Sequence, residues 1–121
     1  ATNQSGVARG FYGEQDVVDL HGWMNRELIA AGAHIDAFEH SPFHPEGTVE
    51  AYRRDSDCRK PGPGMLNRLI EGHRVDRRRT VMIGDRPGDV AGGVAAGVEG
   101  ILFEGGDLAA FLAPVIARLT D

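Results

Sequence analysis

Two acids after an apolar run are the first residues in this sequence whose types and spacing could do chemistry. The stretch TVMIGDRPGDV, residues 80–90, ends its apolar run at Gly84 and then presents Asp85 and Asp89. Two carboxylates so placed could hold Mg²⁺, which prefers one or two carboxylates and leaves its other positions to water and phosphate oxygens. The same acids could instead cap a helix and complement its dipole, each contributing about 1 kcal/mol or less.

Two further polar segments could bind a phosphoryl group. TNQSG at residues 2–6 offers hydroxyl and amide groups in succession; it is either an ordinary turn or, if it follows a strand, a concave phosphate site. In CRKPGPG at residues 58–64, Arg59 could grip a phosphate with two hydrogen bonds, and Lys60 could neutralise charge on a transferring group. Lys60 is the only lysine among 13 basic residues, a hint that this position needs a compact ammonium group.

The pattern of apolar residues indicates the elements that must position these groups. It predicts helices over residues 14–32, 63–73, 87–97 and 108–119, and strands over residues 33–39, 79–84 and 100–103. We expect Val90, Val94 and Ala95 to face inward and Pro114 to interrupt the last helix. Residues 40–61 are predicted to form a long irregular loop. Alternating helices and strands give a parallel sheet covered on both faces, so the predicted fold class is α/β, with ligands at the carboxyl ends of the strands.

The composition limits the classes of function. A chain of 121 residues predicts a single domain, and its net charge of −5 argues against nucleic acid as a partner. No window approaches the roughly 20 apolar residues of a membrane span. The single cysteine excludes an internal disulfide, and the first residues do not resemble a signal peptide. We therefore expect a cytoplasmic protein, monomeric when full-length, that binds neither nucleic acid nor membrane.

Three motifs together resemble a known enzyme family. TNQSG, HPEGTVEAYRRDSDCRKPGPGML and IGDRPGDVAGGVAAGV are similar to the second, third and fourth motifs of the haloacid dehalogenase-like phosphatases, most of all those that remove the 7-phosphate of heptose bisphosphates. The resemblance covers nearly the whole chain. It implies a Rossmann-like parallel sheet, Mg²⁺ as cofactor, and hydrolysis of a sugar phosphate through an aspartyl-phosphate. A histidinol-phosphate phosphatase and a non-catalytic phosphate-binding protein are the alternatives.

The resemblance also implies roles for individual residues. Thr2 matches the hydroxyl that binds the transferring phosphoryl group, and Lys60 matches the lysine that stabilises charge on the nucleophile and the phosphoryl group. Asp85 matches the direct Mg²⁺ ligand, and Asp89 matches the second acid of the fourth motif, which we expect in the outer shell of the metal. The substrate-binding residues so implied are Asn3, Gln4, Ser5, Arg59 and Arg86.

The sequence departs from this family in its first motif. The family's nucleophile and general acid–base are the two aspartates of a DxDGT motif, and no such motif occurs in the 121 residues. We therefore expect an N-terminally incomplete domain, the C-terminal part of a longer chain. It would lack the first, central strand and most of the second, which would leave a gap in the sheet.

A second departure concerns zinc. Relatives in this family carry four soft ligands for zinc in the long loop, and the corresponding positions here are Ser41, Phe43, Ser56 and Cys58. One potential ligand cannot hold structural zinc, which takes four. We predict that no zinc is bound and that packing of Phe43 and Tyr52, together with the prolines, holds the loop.

Overall fold

The alternation of helices and strands that the sequence predicts is present in the computed structural model, which describes residues 1–120. These residues divide into two compact units, Ala1–Arg59 and the part of the chain from Lys60 onward. Each unit contains one pair of parallel strands and several helices. The fold class is therefore α/β, as predicted.

The first unit is built on a long helix and two very short strands. Its elements in chain order are β1 (Thr2–Asn3), α1 (Ser5–Ala8), α2 (Glu14–Ala30), β2 (His40–Ser41) and a 3-10 turn (Glu50–Tyr52). Strands β1 and β2 pair in parallel, with Thr2 opposite His40. Helix α2 begins where the Asp16 carboxylate accepts the Gly13 backbone N–H at 2.8 Å, which satisfies one of the unpaired donors of its first turn.

The strand predicted over residues 33–39 is wrong. Strand β2 begins at His40, and residues 33–39 have no regular structure. The side chain of Asn25 binds both backbone groups of Ile35, accepting its N–H at 2.8 Å and donating to its C=O at 3.1 Å. Since these are the groups with which Ile35 would enter a sheet, the Asn25 amide replaces a ladder partner and fastens the segment to α2.

The second unit contains the longer of the two pairs of parallel strands. Its elements are α3 (Gly64–His73), a 3-10 turn (Arg77–Arg79), β3 (Val81–Gly84), α4 (Pro87–Ala95), β4 (Glu99–Leu102) and α5 (Leu108–Thr120). Strands β3 and β4 are parallel, with Val81 opposite Glu99. The core consists of Leu66, Ile70, Ala96 and Val98, with Met82 packed against it.

Helix α4 lies very close to the β3–β4 sheet, and glycine makes this approach possible. A Cβ atom at Gly93 would overlap the side chain of Met82, and one at Gly100 would overlap Val90. The prediction that Val94 and Ala95 face inward is wrong, because both are exposed. So close an approach leaves the inner face of α4 to its smallest residues.

Two further observations concern the sheet and the last helix. The four described strands form two separate two-stranded sheets, β1–β2 and β3–β4. Helix α5 runs unbroken through Pro114, contrary to the predicted interruption; proline removes one helical hydrogen bond there without ending the helix. Within residues 1–120, no helix combines the length and apolar character needed to cross a membrane.

Candidate active site

The carboxyl end of β3 leads directly into α4 and carries three of the predicted site residues. Asp85 and Arg86 follow the last strand residue, Gly84, and both are exposed. Pro87 is the first residue of α4, a position that tolerates the missing N–H of proline. Asp89 lies in the first turn of this helix, where its Oδ2 accepts the Arg86 backbone N–H at 3.1 Å.

The ammonium group of Lys60 forms an ion pair with Asp89 Oδ1. The two side chains are only 10% and 11% exposed, so the pair is largely withdrawn from water. Asp89, which we expected in the outer shell of a metal, therefore binds Lys60, the only lysine, directly.

Gly84 makes room for this ion pair, and Gly92 lies beside it. A Cβ atom at Gly84 would overlap the carboxyl group of Asp89, which folds back over the strand end. At Gly92, one turn further along α4, a Cβ atom would come within 3.4 Å of Lys60 Cγ and 3.7 Å of the Pro61 carbonyl oxygen. The segment around Lys60 therefore packs against α4 at ordinary contact distance, and of these two glycines only Gly84 is needed to avoid an overlap with the pair.

The electrostatics of the pair favour the charged form of Asp89. Burial alone would raise the pKa of its carboxyl group. The hydrogen bond and charge of Lys60, with the backbone N–H groups of Arg86 and Asp85, outweigh burial and hold the pKa below its ordinary value. Asp89 is therefore a carboxylate at neutral pH and fixes the position of the Lys60 ammonium group.

The donor set at this strand end is compatible with Mg²⁺. Asp85 is an exposed carboxylate, whereas both oxygens of Asp89 already accept hydrogen bonds from Lys60 and Arg86. In the part of the chain that the structure describes, no three side chains of His, Cys, Asp or Glu are grouped to hold a metal. One carboxylate with water and phosphate oxygens is a coordination set that Mg²⁺ accepts, so the residues fit this ion in an open site.

In the first unit, the other predicted site residues lie around β1. The Thr2 N–H donates to the Glu39 carbonyl at 3.0 Å, and the Gln4 N–H donates to the Ser41 carbonyl at 2.8 Å. The carbonyls of Glu39 and Ser41 thus fix the backbone on both sides of Asn3. The Gln4 side-chain amide donates to Thr2 Oγ1 at 3.0 Å, and Ser5 begins the single-turn helix α1. Four of the predicted residues are therefore adjacent, with Gln4 bound to Thr2.

Arg59 is the last residue of the first unit, and one of its nitrogen atoms is unsatisfied. Its Nη1 is buried and has no hydrogen-bond partner among residues 1–120. A buried donor without a partner costs free energy until a ligand or water accepts its proton. An anionic group would meet this requirement, which is consistent with the predicted substrate contact.

The loop that the resemblance compares with a zinc site is held by side-chain contacts. The rings of Phe43 and Tyr52 pack with their centroids 6.3 Å apart, as predicted, and the guanidinium of Arg54 lies 4.8 Å above the Phe43 ring. Glu14 on α2 uses both carboxylate oxygens, accepting from the Tyr52 hydroxyl at 3.0 Å and pairing with His40 Nε2 at 2.7 Å. This Glu14 clasp joins α2, β2 and the 3-10 turn.

The four positions of the family's zinc ligands do not fit zinc. Ser41 is fully buried and its hydroxyl has no hydrogen-bond partner among the described residues. Phe43 is occupied by ring packing, and the Ser56 hydroxyl accepts the Cys58 backbone N–H at 3.1 Å. A hydroxyl and a phenyl ring offer no thiolate, so the absence of zinc stays a prediction that this donor set supports.

The sequence contained signals for the contacts that its interpretation missed. The solitary lysine and the Arg86-to-Asp89 spacing of a capping box were both visible, but nothing in the sequence paired residues 60 and 89. The Glu14 clasp joins residues 26 and 38 positions apart. Periodicity within a helix or strand carries no information on contacts at such separations.

Comparison with known proteins supports the family. A family model described as HAD-hydrolase-like matches residues 57–111. A D-glycero-β-D-manno-heptose-1,7-bisphosphate 7-phosphatase of Rhodopseudomonas palustris is 48% identical over 118 residues, 98% of this chain and 66% of its own length. A protein of the same name from Haemophilus influenzae is 39% identical over 98 residues, 81% of this chain and 53% of its own length. The chain thus spans between half and two thirds of these relatives.

Two solved structures are similar to this chain. The match to a HAD-like phosphatase from Mesorhizobium loti covers 97% of this chain and 62% of the length of that protein, with a TM-score of 0.85 and 27% identity. The D,D-heptose 1,7-bisphosphate phosphatase of B. bronchiseptica, complexed with magnesium and phosphate, matches 98% of the chain and 69% of its own, with a TM-score of 0.74 and 27% identity. With the motif residues at the carboxyl ends of β1 and β3, these likenesses show that the chain belongs to the haloacid dehalogenase-like hydrolases.

Proposed function

We propose that this protein takes part in the Mg²⁺-dependent removal of the 7-phosphate from D-glycero-D-manno-heptose 1,7-bisphosphate. The names of the R. palustris and H. influenzae relatives support this substrate. The observation that carries the proposal is the buried Lys60–Asp89 pair beside the exposed Asp85 at the carboxyl end of β3. A fixed ammonium group next to a free carboxylate suits a phosphoryl group and its cation.

We assign the binding of the phosphoryl group to the protein's own residues as follows. Lys60, held by Asp89, neutralises negative charge that develops on the phosphoryl oxygens. The Thr2 hydroxyl donates to one of these oxygens, and Arg59, with its unsatisfied Nη1, binds substrate. The remaining substrate contacts are assigned to Asn3, Ser5 and Arg86.

Asp85 is the residue we assign to Mg²⁺. When bound, the ion supplies positive charge to the phosphoryl oxygens and orients them for attack. The nucleophile and the acid–base group are assigned to a DxDGT segment, because none of the 121 residues forms that motif. We propose that turnover requires such a segment together with this chain.

The test is a phosphate-release assay on the chain alone and on the chain joined to a DxDGT-bearing segment. In Mg²⁺, we expect no turnover by the chain alone, and release from heptose bisphosphate in preference to histidinol phosphate by the joined protein. Lys60→Ala should lower the rate by about 100-fold or more, since a preorganised group that stabilises the transition state is lost. Lys60→Arg is the control for charge alone, and it should not restore the rate because the planar guanidinium differs in shape.

Three outcomes would count against this assignment. Turnover by the 121-residue chain that disappears in Lys60→Ala would place the nucleophile within it. Preference of the joined protein for histidinol phosphate would replace the substrate. A joined protein that binds phosphate and Mg²⁺ but hydrolyses neither substrate would favour a non-catalytic phosphate-binding protein.

A further inference from the structure

A short hydrogen-bond relay leads from an aromatic residue to Thr2. The Tyr12 hydroxyl donates to Gln4 Oε1 at 2.5 Å, and Gln4 Nε2 donates to Thr2 Oγ1 at 3.0 Å. All three residues belong to the first unit. Tyr12 is partly exposed and has no role in the function proposed above.

The surroundings of the relay fix the position of its members. The Tyr12 ring lies against Gly6 so closely that a Cβ atom at Gly6 would overlap it. The backbones of Thr2 and Gln4 are tied to β2 by the hydrogen bonds described above. With the ring and both backbones in place, the amide of Gln4 spans the gap between the two hydroxyl groups.

The direction of the relay determines what Thr2 can do. An amide oxygen only accepts, so the Tyr12 hydroxyl must donate to Gln4 Oε1, and the amide NH₂ group then faces Thr2. Thr2 Oγ1 accepts from Gln4, and its own proton points to the Asn3 carbonyl at 3.4 Å. This distance exceeds the usual range for hydroxyl donors, about 2.5–3.0 Å, so the proton is available to a better acceptor.

We propose that Tyr12 is a positioning residue that acts through Gln4 to orient the Thr2 hydroxyl as a donor to a phosphoryl oxygen. The inference rests on the proposed role of Thr2 in binding the phosphoryl group. It gives Gln4 a different task from the one that the family resemblance implies, since its amide holds Thr2 instead of contacting substrate. Without the Tyr12 hydroxyl, the Gln4 side-chain amide can flip. The Thr2 hydroxyl would then donate its proton to the Gln4 oxygen instead of to a phosphoryl oxygen.

The test uses the 121-residue chain with inorganic phosphate and Mg²⁺. Tyr12→Phe keeps the ring and removes the hydroxyl, and it should weaken phosphate binding by about 2- to 10-fold, the loss expected for one hydrogen bond. Tyr52→Phe is the matched control, because it removes a phenol hydroxyl of the same unit that binds Glu14 instead of Gln4. Phosphate affinity is measured by isothermal titration calorimetry. The Gln4 side-chain amide resonances, measured by NMR without phosphate, should shift in Tyr12→Phe and stay in place in Tyr52→Phe.

Thr2→Val separates the relay from the proposed function. In this background Tyr12→Phe should have no further effect on affinity, since the hydroxyl that it orients is gone. If Thr2→Val binds phosphate as well as the wild type, the assigned role of Thr2 is wrong. If Thr2→Val weakens binding but Tyr12→Phe does not, the relay is overturned and the proposed function stands. Unchanged Gln4 resonances in Tyr12→Phe would overturn the relay even in a chain that binds phosphate too weakly to measure.

Discussion

The two units hold their polar residues in place by different means. In the second unit, the charged pair Lys60–Asp89 is largely buried. In the first unit, the relay from Tyr12 to Thr2 and the Glu14 clasp are hydrogen bonds at half-exposed positions. In a buried pair, two side chains make a large contribution to the free energy of unfolding. In a set of more exposed hydrogen bonds, many side chains make small contributions. Mutations should therefore have large, local effects in the second unit and small, distributed ones in the first.

The largest effect is expected for Asp89→Asn, which keeps the shape of the side chain and removes its charge. The Lys60 ammonium group, almost withdrawn from water, would then lose the negative charge of Asp89. Breaking one side of a buried pair costs about 3 kcal/mol or more of the free energy of unfolding. Urea denaturation of the purified chain measures this loss.

Glu99→Gln is the matched control within the same unit. It breaks the ion pair between Glu99 and Arg118, whose side chains are 50% and 53% exposed respectively. The loss in the free energy of unfolding should be about 1 kcal/mol or less. Equal losses in the two variants would show that the Lys60–Asp89 pair is no better shielded from water than a surface pair.

The second unit was also the easier one to predict from the sequence. Helices α3 and α4 and strands β3 and β4 follow from the periodicity of their apolar residues, and GDRPGD carries its own turn and cap signals. Predictions from the sequence were wrong where tertiary contacts, and not the periodicity of apolar residues, determine which side chains are buried. Val94 fits the helical pattern but is exposed, because α4 packs on the sheet through Gly93.

In the first unit, the failures have the same physical origin. Residues 33–39 have the composition of a strand, yet Asn25, distant in sequence, takes the backbone groups of Ile35. Thr2 and Gln4 were predicted as site residues from their chemistry together with the family resemblance, but Tyr12 was not. A phenol hydroxyl becomes informative only when its acceptor is known, and that acceptor depends on how the chain folds back past Gly6.

An intermediate effect is expected for Glu14→Ala, which removes both acceptors of the Glu14 clasp. Losing the bonds to His40 and Tyr52 should cost about 1–2 kcal/mol and speed hydrogen exchange of the loop, beginning with the His44 N–H that binds the Tyr52 carbonyl at 3.1 Å. Gln15→Ala, which removes a bond to Asp19 on the same helix, is the control and should leave loop exchange unchanged.

The same exchange measurement tests the prediction that the loop holds no zinc. A strong chelator should change neither the exchange rates nor the unfolding curve if the loop is fastened by the contacts of Tyr52 with Phe43 and Glu14 alone. Elemental analysis that finds one zinc per purified chain would contradict this prediction, and so would a loop that opens on chelation.

The smallest effect is a pH dependence that we expect to originate in the first unit. His21 is buried, stacks on Phe38 with ring centroids 4.4 Å apart, and lies 6.4 Å from the ring of His40. Burial, followed by the charge of His40, lowers the pKa of His21 below its ordinary value of 6.5. As the pH falls through about 6.5 the unfolded chain takes up this proton first. Stability is therefore complete above that pH and declines below it, until the folded form is protonated as well.

Urea unfolding at pH 7.5 and at pH 5.5 measures this decline, which should be smaller in His21→Phe because phenylalanine keeps the stacking on Phe38 and does not titrate. His73→Phe removes an exposed histidine from α3 and should keep the wild-type decline. The lowered pKa of Asp89 keeps the Lys60–Asp89 pair charged through this range, so mild acid should act on the first unit and spare the second. An equal decline in His21→Phe and the wild type would remove His21 as its source.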